Sequence, residues 1–162
     1  MRTIVCAVLL AVWLCSALPA QVQCSSQSLR GNWSVSMLGW AIPTAPGPWG
    51  AADQTVPIVG LGVAVIDHTG KVTGPGTAVM AGVIFDYELA GTVEVNSDCT
   101  GLVKYSLKIK GFPNLPGYIE RFVLDPARQE MVSVSVQSPI SKPMWITTWK
   151  RISPVAAPVA WP

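Results

Sequence analysis

The chain has 162 residues, half of them hydrophobic and 12% charged, with a formal net charge of +2. That length suits one domain with a full core. The near-neutral balance excludes a protein that tracks nucleic-acid phosphates, which needs a basic stripe.

Met1-Arg2-Thr3 is a short positive start, Ile4 to Leu14 is an unbroken apolar run, and Ser16-Ala17-Leu18-Pro19-Ala20 offers small residues for cleavage. The run is too short to span a bilayer comfortably, so residues 1–20 read as a removable signal peptide. Val12-Trp13-Leu14 lacks the small residues that precede a lipidated cysteine at Cys15. Losing Arg2 with the leader lowers the net charge from +2 to +1, and two cysteines remain, Cys24 and Cys99. Export makes such a pair a disulfide, with two free thiols as the alternative. The expected location is therefore secreted or periplasmic, with no membrane span in the mature chain.

Polar residues 25–30 lead into Gly31 to Met37, where Trp33, Val35 and Met37 alternate with polar neighbours, the period of a half-buried strand. Leu38-Gly39-Trp40 ends it. Residues 41–56 hold three prolines and two glycines and read as a loop with Trp49 at its tip. Pro57 to Asp67 is a second strand, His68-Thr69-Gly70 a turn, and Lys71 to Met80 a third strand kinked at Gly74-Pro75-Gly76. A long hairpin follows at Val83 to Ile109, with Asn96 to Gly101 as its turn, where Gly101 is expected to take the positive φ. Its odd positions, including Phe85, Tyr87, Leu89, Val103, Tyr105 and Leu107, are apolar. Asp86, Glu88, Glu94, Lys104 and Lys108 take the other face. A one-residue slip would bury those charges, so the register is strongly specified.

Gly111 to Gly117 reads as a loop, Tyr118 to Asp125 as the sixth strand, and Glu130 to Gln137 as the seventh, with Val132, Val134 and Val136 opposite Ser133 and Ser135. Met144 to Ile152 is the eighth. Residues 153–162, SPVAAPVAWP, are a Pro/Ala tail without periodicity. Eight strands with short connections predict an all-β fold, a single eight-stranded antiparallel up-and-down barrel over residues 21–152. A sandwich is the competitor and would want longer crossing connections.

Gly31-Asn32-Trp33 resembles the short Gly-x-Trp motif of lipocalins. The resemblance implies that a basic residue on the last strand, here Arg151, packs over Trp33 and closes the barrel base. Gly91-Thr92-Val93-Glu94-Val95-Asn96-Ser97-Asp98-Cys99-Thr100-Gly101 resembles the GTYTVNxDCTG hairpin of small secreted bacterial proteins with no settled function, whose N-terminal cysteine corresponds to Cys24. Val93 stands where that pattern is often aromatic. These proteins are similar in plan to lipocalin-like and allene-oxide-cyclase-like barrels. The resemblance spans residues 24–152, and only the hairpin is distinctive.

His68 is the only histidine, which argues against a catalytic triad or a His-rich metal site. The hairpin carboxylates read as an outer face with cross-strand ion pairs. On the sixth strand, Glu120 is a buried site candidate if it points inward with Tyr118 and Phe122. If Arg121 points inward instead, it meets Asp125 or a ligand anion. Trp33, Trp40, Trp49, Trp145 and Trp149 gather where the first and last strands meet. Trp40 and Trp49, at the mouth, are candidates for ligand contact.

Four functions compete. One is a barrel holding a small apolar ligand against Trp40, Trp49, Tyr105 and Glu120. The second is an interaction or structural module of the cell exterior, working as a homo-oligomer. The others are a cyclase or isomerase with Glu120 or Tyr105 as acid or base, and an outer-membrane barrel. No cofactor, metal or nucleic-acid partner is expected.

Overall fold

A computed structural model describes residues 23–127 and 129–152. The expected signal peptide, 1–20, and tail, 153–162, lie outside the described residues. Eight antiparallel strands run in chain order around a closed barrel. They are β1 (Gly31–Pro43), β2 (Val56–Ile66), β3 (Lys71–Met80), β4 (Val83–Val95), β5 (Thr100–Ile109), β6 (Leu115–Asp125), β7 (Glu130–Gln137) and β8 (Ser141–Ile152). β1 closes on β8 from Asn32 opposite Ile152 to Pro43 opposite Ser141, so no edge is left open and the sandwich is excluded.

Several boundaries differ from the sequence expectation, each for a pairing reason. β1 runs on through Trp40, Ala41 and Ile42 to Pro43, because β2 and then β8 supply partners that far. The loop is thus residues 44–55. Pro43 terminates the strand, where a missing N–H costs no ladder bond. β3 is continuous through Gly74-Pro75-Gly76. A Cβ at Gly76 would lie 2.4 Å from the ring of Tyr87 on β4, so the glycine makes room for that ring. β6 begins at Leu115, three residues early, across a register shift between Tyr105 and Leu107 on β5. β7 turns Met131 and Ser133 inward and Val132, Val134 and Val136 outward, so the valine row faces solvent.

The hairpin turn is built by another residue than expected. Cys99 takes the left-handed conformation, with φ +68, and Gly101 does not. A Cβ at Gly101 would sit 2.4 Å from the Phe122 ring, so this glycine is there for packing. Asp98 accepts from the Thr100 hydroxyl at 2.7 Å and amide at 3.1 Å, and the hydroxyl contact chiefly holds its carboxyl below the usual range.

The base is plugged and stapled. A single helical turn, α1 (Ser26–Leu29), which the polar sequence did not advertise, inserts the fully buried Leu29. The Leu29 carbonyl accepts from the Trp33 indole at 2.8 Å. Arg151 lies over the Trp33 ring, 4.9 Å from its centroid, and donates to the Ser28 carbonyl. Cys24 and Cys99 form a disulfide, as suits an oxidising compartment. Truncating Leu29→Ala should cost about 3 kcal/mol, a transfer term plus a cavity under Trp33, read as a lower urea midpoint at unchanged slope.

Candidate functional site

Above the base, inward side chains of β1 to β6 and β8 line a chamber whose polar centre is Glu120. Strand alternation puts Tyr118, Glu120, Phe122 and Leu124 inside and Arg121 outside, which resolves the face of β6. Glu120 is only 2% exposed. Its Oε1 accepts from the Tyr105 hydroxyl at 2.8 Å, the Thr147 hydroxyl at 3.1 Å and the Trp145 indole at 3.4 Å. Its Oε2 accepts from the Ser133 hydroxyl at 2.5 Å. All four donors are neutral, and none of the ion pairs among the described residues reaches this carboxylate. A buried carboxyl without a cation depends wholly on such donors.

Ser133 can satisfy the network in two ways. Its oxygen receives the Trp149 indole N–H at 3.3 Å and lies 3.3 Å from the Thr147 carbonyl. The Ser133 hydroxyl therefore has two acceptors within reach, Oε2 and the Thr147 carbonyl, so a competing donor at Oε2 leaves it a second partner.

Three tyrosines surround it. Tyr105 and Tyr118 stack with centroids 5.1 Å apart and planes 6° from parallel. Burial, then the charge of Glu120, holds the Tyr105 hydroxyl well above its usual range. Burial raises Tyr87 to about 12, with Glu120 adding to it, and raises Tyr118 to about 12 against a small opposing bond from Ser138. All three are donors at neutral pH. The other walls are apolar: Met37, Ile58, Met80, Phe85, Leu107 and Ile140 among them.

The chamber is small. Its free volume is about 50 Å³, room for a few waters. Over the mouth, the 44–55 loop folds back on itself, with Gly47 and Gly50 exchanging two backbone bonds of 3.1 Å around Pro48-Trp49. Trp49, 7% exposed, packs edge-on against Phe85 at 4.7 Å and against Phe112 at 5.0 Å. Lys142 and Asp53, 3.5 Å apart, tie the returning loop to β8.

The sequence-derived candidates divide accordingly. Glu120 and Tyr105 meet, and Trp49 roofs the space above them. Trp40 is a correction: it is 57% exposed on the outer wall, because the even positions of β1 face outward. Tyr105 and Glu120 line the chamber, and neither Trp40 nor Trp49 is among its lining residues. Ser133, Thr147 and Trp145 were missed, since a serine or threonine inside a strand reads as solvent-facing until its neighbour's parity is known. The hairpin contributes Tyr105, which was a candidate, and Tyr87, which was not. Its outer charges pair across strands, Lys104 with Glu94 at 2.7 Å and Lys108 with Glu88 at 3.6 Å. His68 is exposed in its turn.

Among the described residues, no group of three His, Cys, Asp or Glu could hold a metal ion. No helix among them is long and apolar enough to cross a membrane. Comparison with family models, with curated proteins and with solved structures finds no match to this chain.

Proposed function

We propose that the protein is a secreted or periplasmic binding barrel for a small, largely apolar ligand that carries one hydrogen-bond donor. The observation that supports this reading is Glu120, a carboxylate buried in an apolar chamber with only neutral partners. Ligand sites combine apolar walls with a few convergent polar groups. A hydroxyl or amine reaching Oε2 would take the place of the Ser133 proton, which turns to the Thr147 carbonyl. At about 50 Å³ the chamber as it stands admits waters only, so any ring-bearing occupant, the probe below included, requires the Trp49 loop to lift and Phe85 to swing out.

N-phenyl-1-naphthylamine, neutral and apolar with a single N–H, is a suitable probe. Its fluorescence should rise with the oxidised protein and quench Trp49. Glu120→Leu should weaken binding at least tenfold and cost about 3 kcal/mol of stability, because it strands the Tyr105, Thr147 and Ser133 donors. Glu120→Gln, which keeps an acceptor, should lose less of both. The probe staying dark, or binding that Glu120→Leu leaves intact while Leu38→Lys on the outer wall removes it, would overturn the reading. A probe released chemically altered would favour the cyclase or isomerase reading of the Glu120–Tyr105 pair.

A further inference from the structure

The outer wall falls into two unlike halves. Over β3, β4 and β5 it carries the paired charges of the hairpin. Over β2, β1, β8 and β7 it is mostly apolar, broken by Ser34, Ser36, Lys142 and Lys150, and the register lines its side chains into rows. Val59, Leu38, Ile146 and Val134 stand side by side across four strands, and the row ends at Arg121 of β6. Two residues nearer the base, Leu61, Ser36, Thr148 and Val132 form a second row. Leu38 and Leu61 are each 69% exposed, while Ser36 and Thr148, between Leu61 and Val132 in the second row, are short. The wall is a ridge beside a furrow, which is the relief one copy can offer another.

The exposed apolar side chains of this half amount to on the order of 1,000 Å², against the few hundred of a typical monomer's largest patch and the ~800 Å² per partner of a standard interface. None of this area is needed inside, since the core fills from the inward positions. Besides Arg121, the fringe pairs charges of both signs. Lys142 and Asp53 sit at the mouth end, and Lys150 and Glu130 are cross-strand neighbours at the base end. A face made for an anionic bilayer would be edged with Lys and Arg. A closed barrel also has no strand edge to lend, so association must proceed face to face.

We propose that this wall is the interface of a homodimer in which two barrels pack sheet on sheet about a two-fold axis. An isologous contact lets the Leu38 ridge of each copy enter the Ser36–Thr148 furrow of the other. The barrel mouths stay free, so the dimer does not compete with the interior site.

Sedimentation velocity of the purified, oxidised protein at tens of micromolar decides it. The wild type should sediment at twice the monomer mass. Leu38→Lys and, separately, Ile146→Glu should weaken association at least tenfold with unchanged near-ultraviolet circular dichroism, because both side chains point away from the core. Should Leu38→Lys fail to fold, Val134→Lys on the neighbouring strand puts the same question. A wild type that is monomeric at hundreds of micromolar overturns the proposal. So does association that survives all three substitutions. Flotation of a monomer with phosphatidylcholine vesicles, lost in Leu38→Lys, would assign the wall to lipid and overturn it equally.

Discussion

Titration through about pH 10 to 12 is expected to unfold the barrel, with the interior tyrosines ionising only as it opens. The range follows from Tyr87 and Tyr118, raised from 10.0 to about 12, while burial also holds Tyr105 well above its usual value. A tyrosine is neutral when protonated, so burial makes the folded state hold the proton more tightly than the unfolded chain does. The resulting stability is fully present below pH 10, the unfolded value, and is lost as pH climbs through the folded values. Two pH units correspond to about 2.7 kcal/mol per residue. Tyr87 and Tyr118 together therefore remove an amount comparable to the whole stability of a small domain, about 5–15 kcal/mol. Tyrosinate absorbance and far-ultraviolet circular dichroism, followed in one titration, should change together. Tyr118→Phe should move the midpoint upward. Three tyrosines ionising near pH 10 while the sheet signal persists would show that the chamber is open to water.

Loss of the disulfide is expected to be the most damaging change at neutral pH. Cys24 and Cys99 are 75 residues apart, and closing a loop of that size stabilises by about 4 kcal/mol in the chain-entropy account. The tether also carries the bond from the Cys24 amide to the Ser97 carbonyl at 3.2 Å and keeps α1 docked in the base. Cys24→Ser with Cys99→Ser should lower the urea midpoint by an amount near that figure, and reduction of the wild type should do the same. A second pair separates the two roles of Cys99. Its left-handed backbone costs a non-glycine residue about 1–2 kcal/mol. Cys24→Ser with Cys99→Gly should therefore recover about 1 kcal/mol relative to the serine pair. A shift below 1 kcal/mol for the serine pair would mean that the base holds without its staple.

The fold was legible where one face of a strand is charged. Asp86, Glu88, Lys104 and Lys108 set the parity of β4 and β5, and the short turns did the rest. Legibility failed where neither face is charged. In VPIVGLGVAVI of β2 and in β7, alternation says that two faces exist and not which is inside, so the apolar wall could not be foreseen. Glu120 and Arg121 sit side by side in β6, and their order inward was settled by Tyr105 and Ser133 on the flanking strands, contacts far away in the chain. Trp40 looked like a mouth residue because the Pro-rich stretch after it reads as loop, whereas pairing with Pro57 and Met144 keeps it on the wall. Gly76 and Gly101 read as bends, but serve the rings of Tyr87 and Phe122.

The two ends of the barrel are closed by different means, and this separates their time scales. At the base a covalent bond, a helical plug and a cation over an indole must all give way together, so that end opens only with global unfolding. At the mouth the cover is a twelve-residue loop held by ring contacts and an exposed ion pair, features of the low-stability end of a structure. Amides of β1 and β8 near Trp33 should exchange with solvent far more slowly than those beside Trp49. An occupant of the chamber then comes and goes at the rate of the loop, and its residence time measures Trp49 rather than the strength of its own contacts.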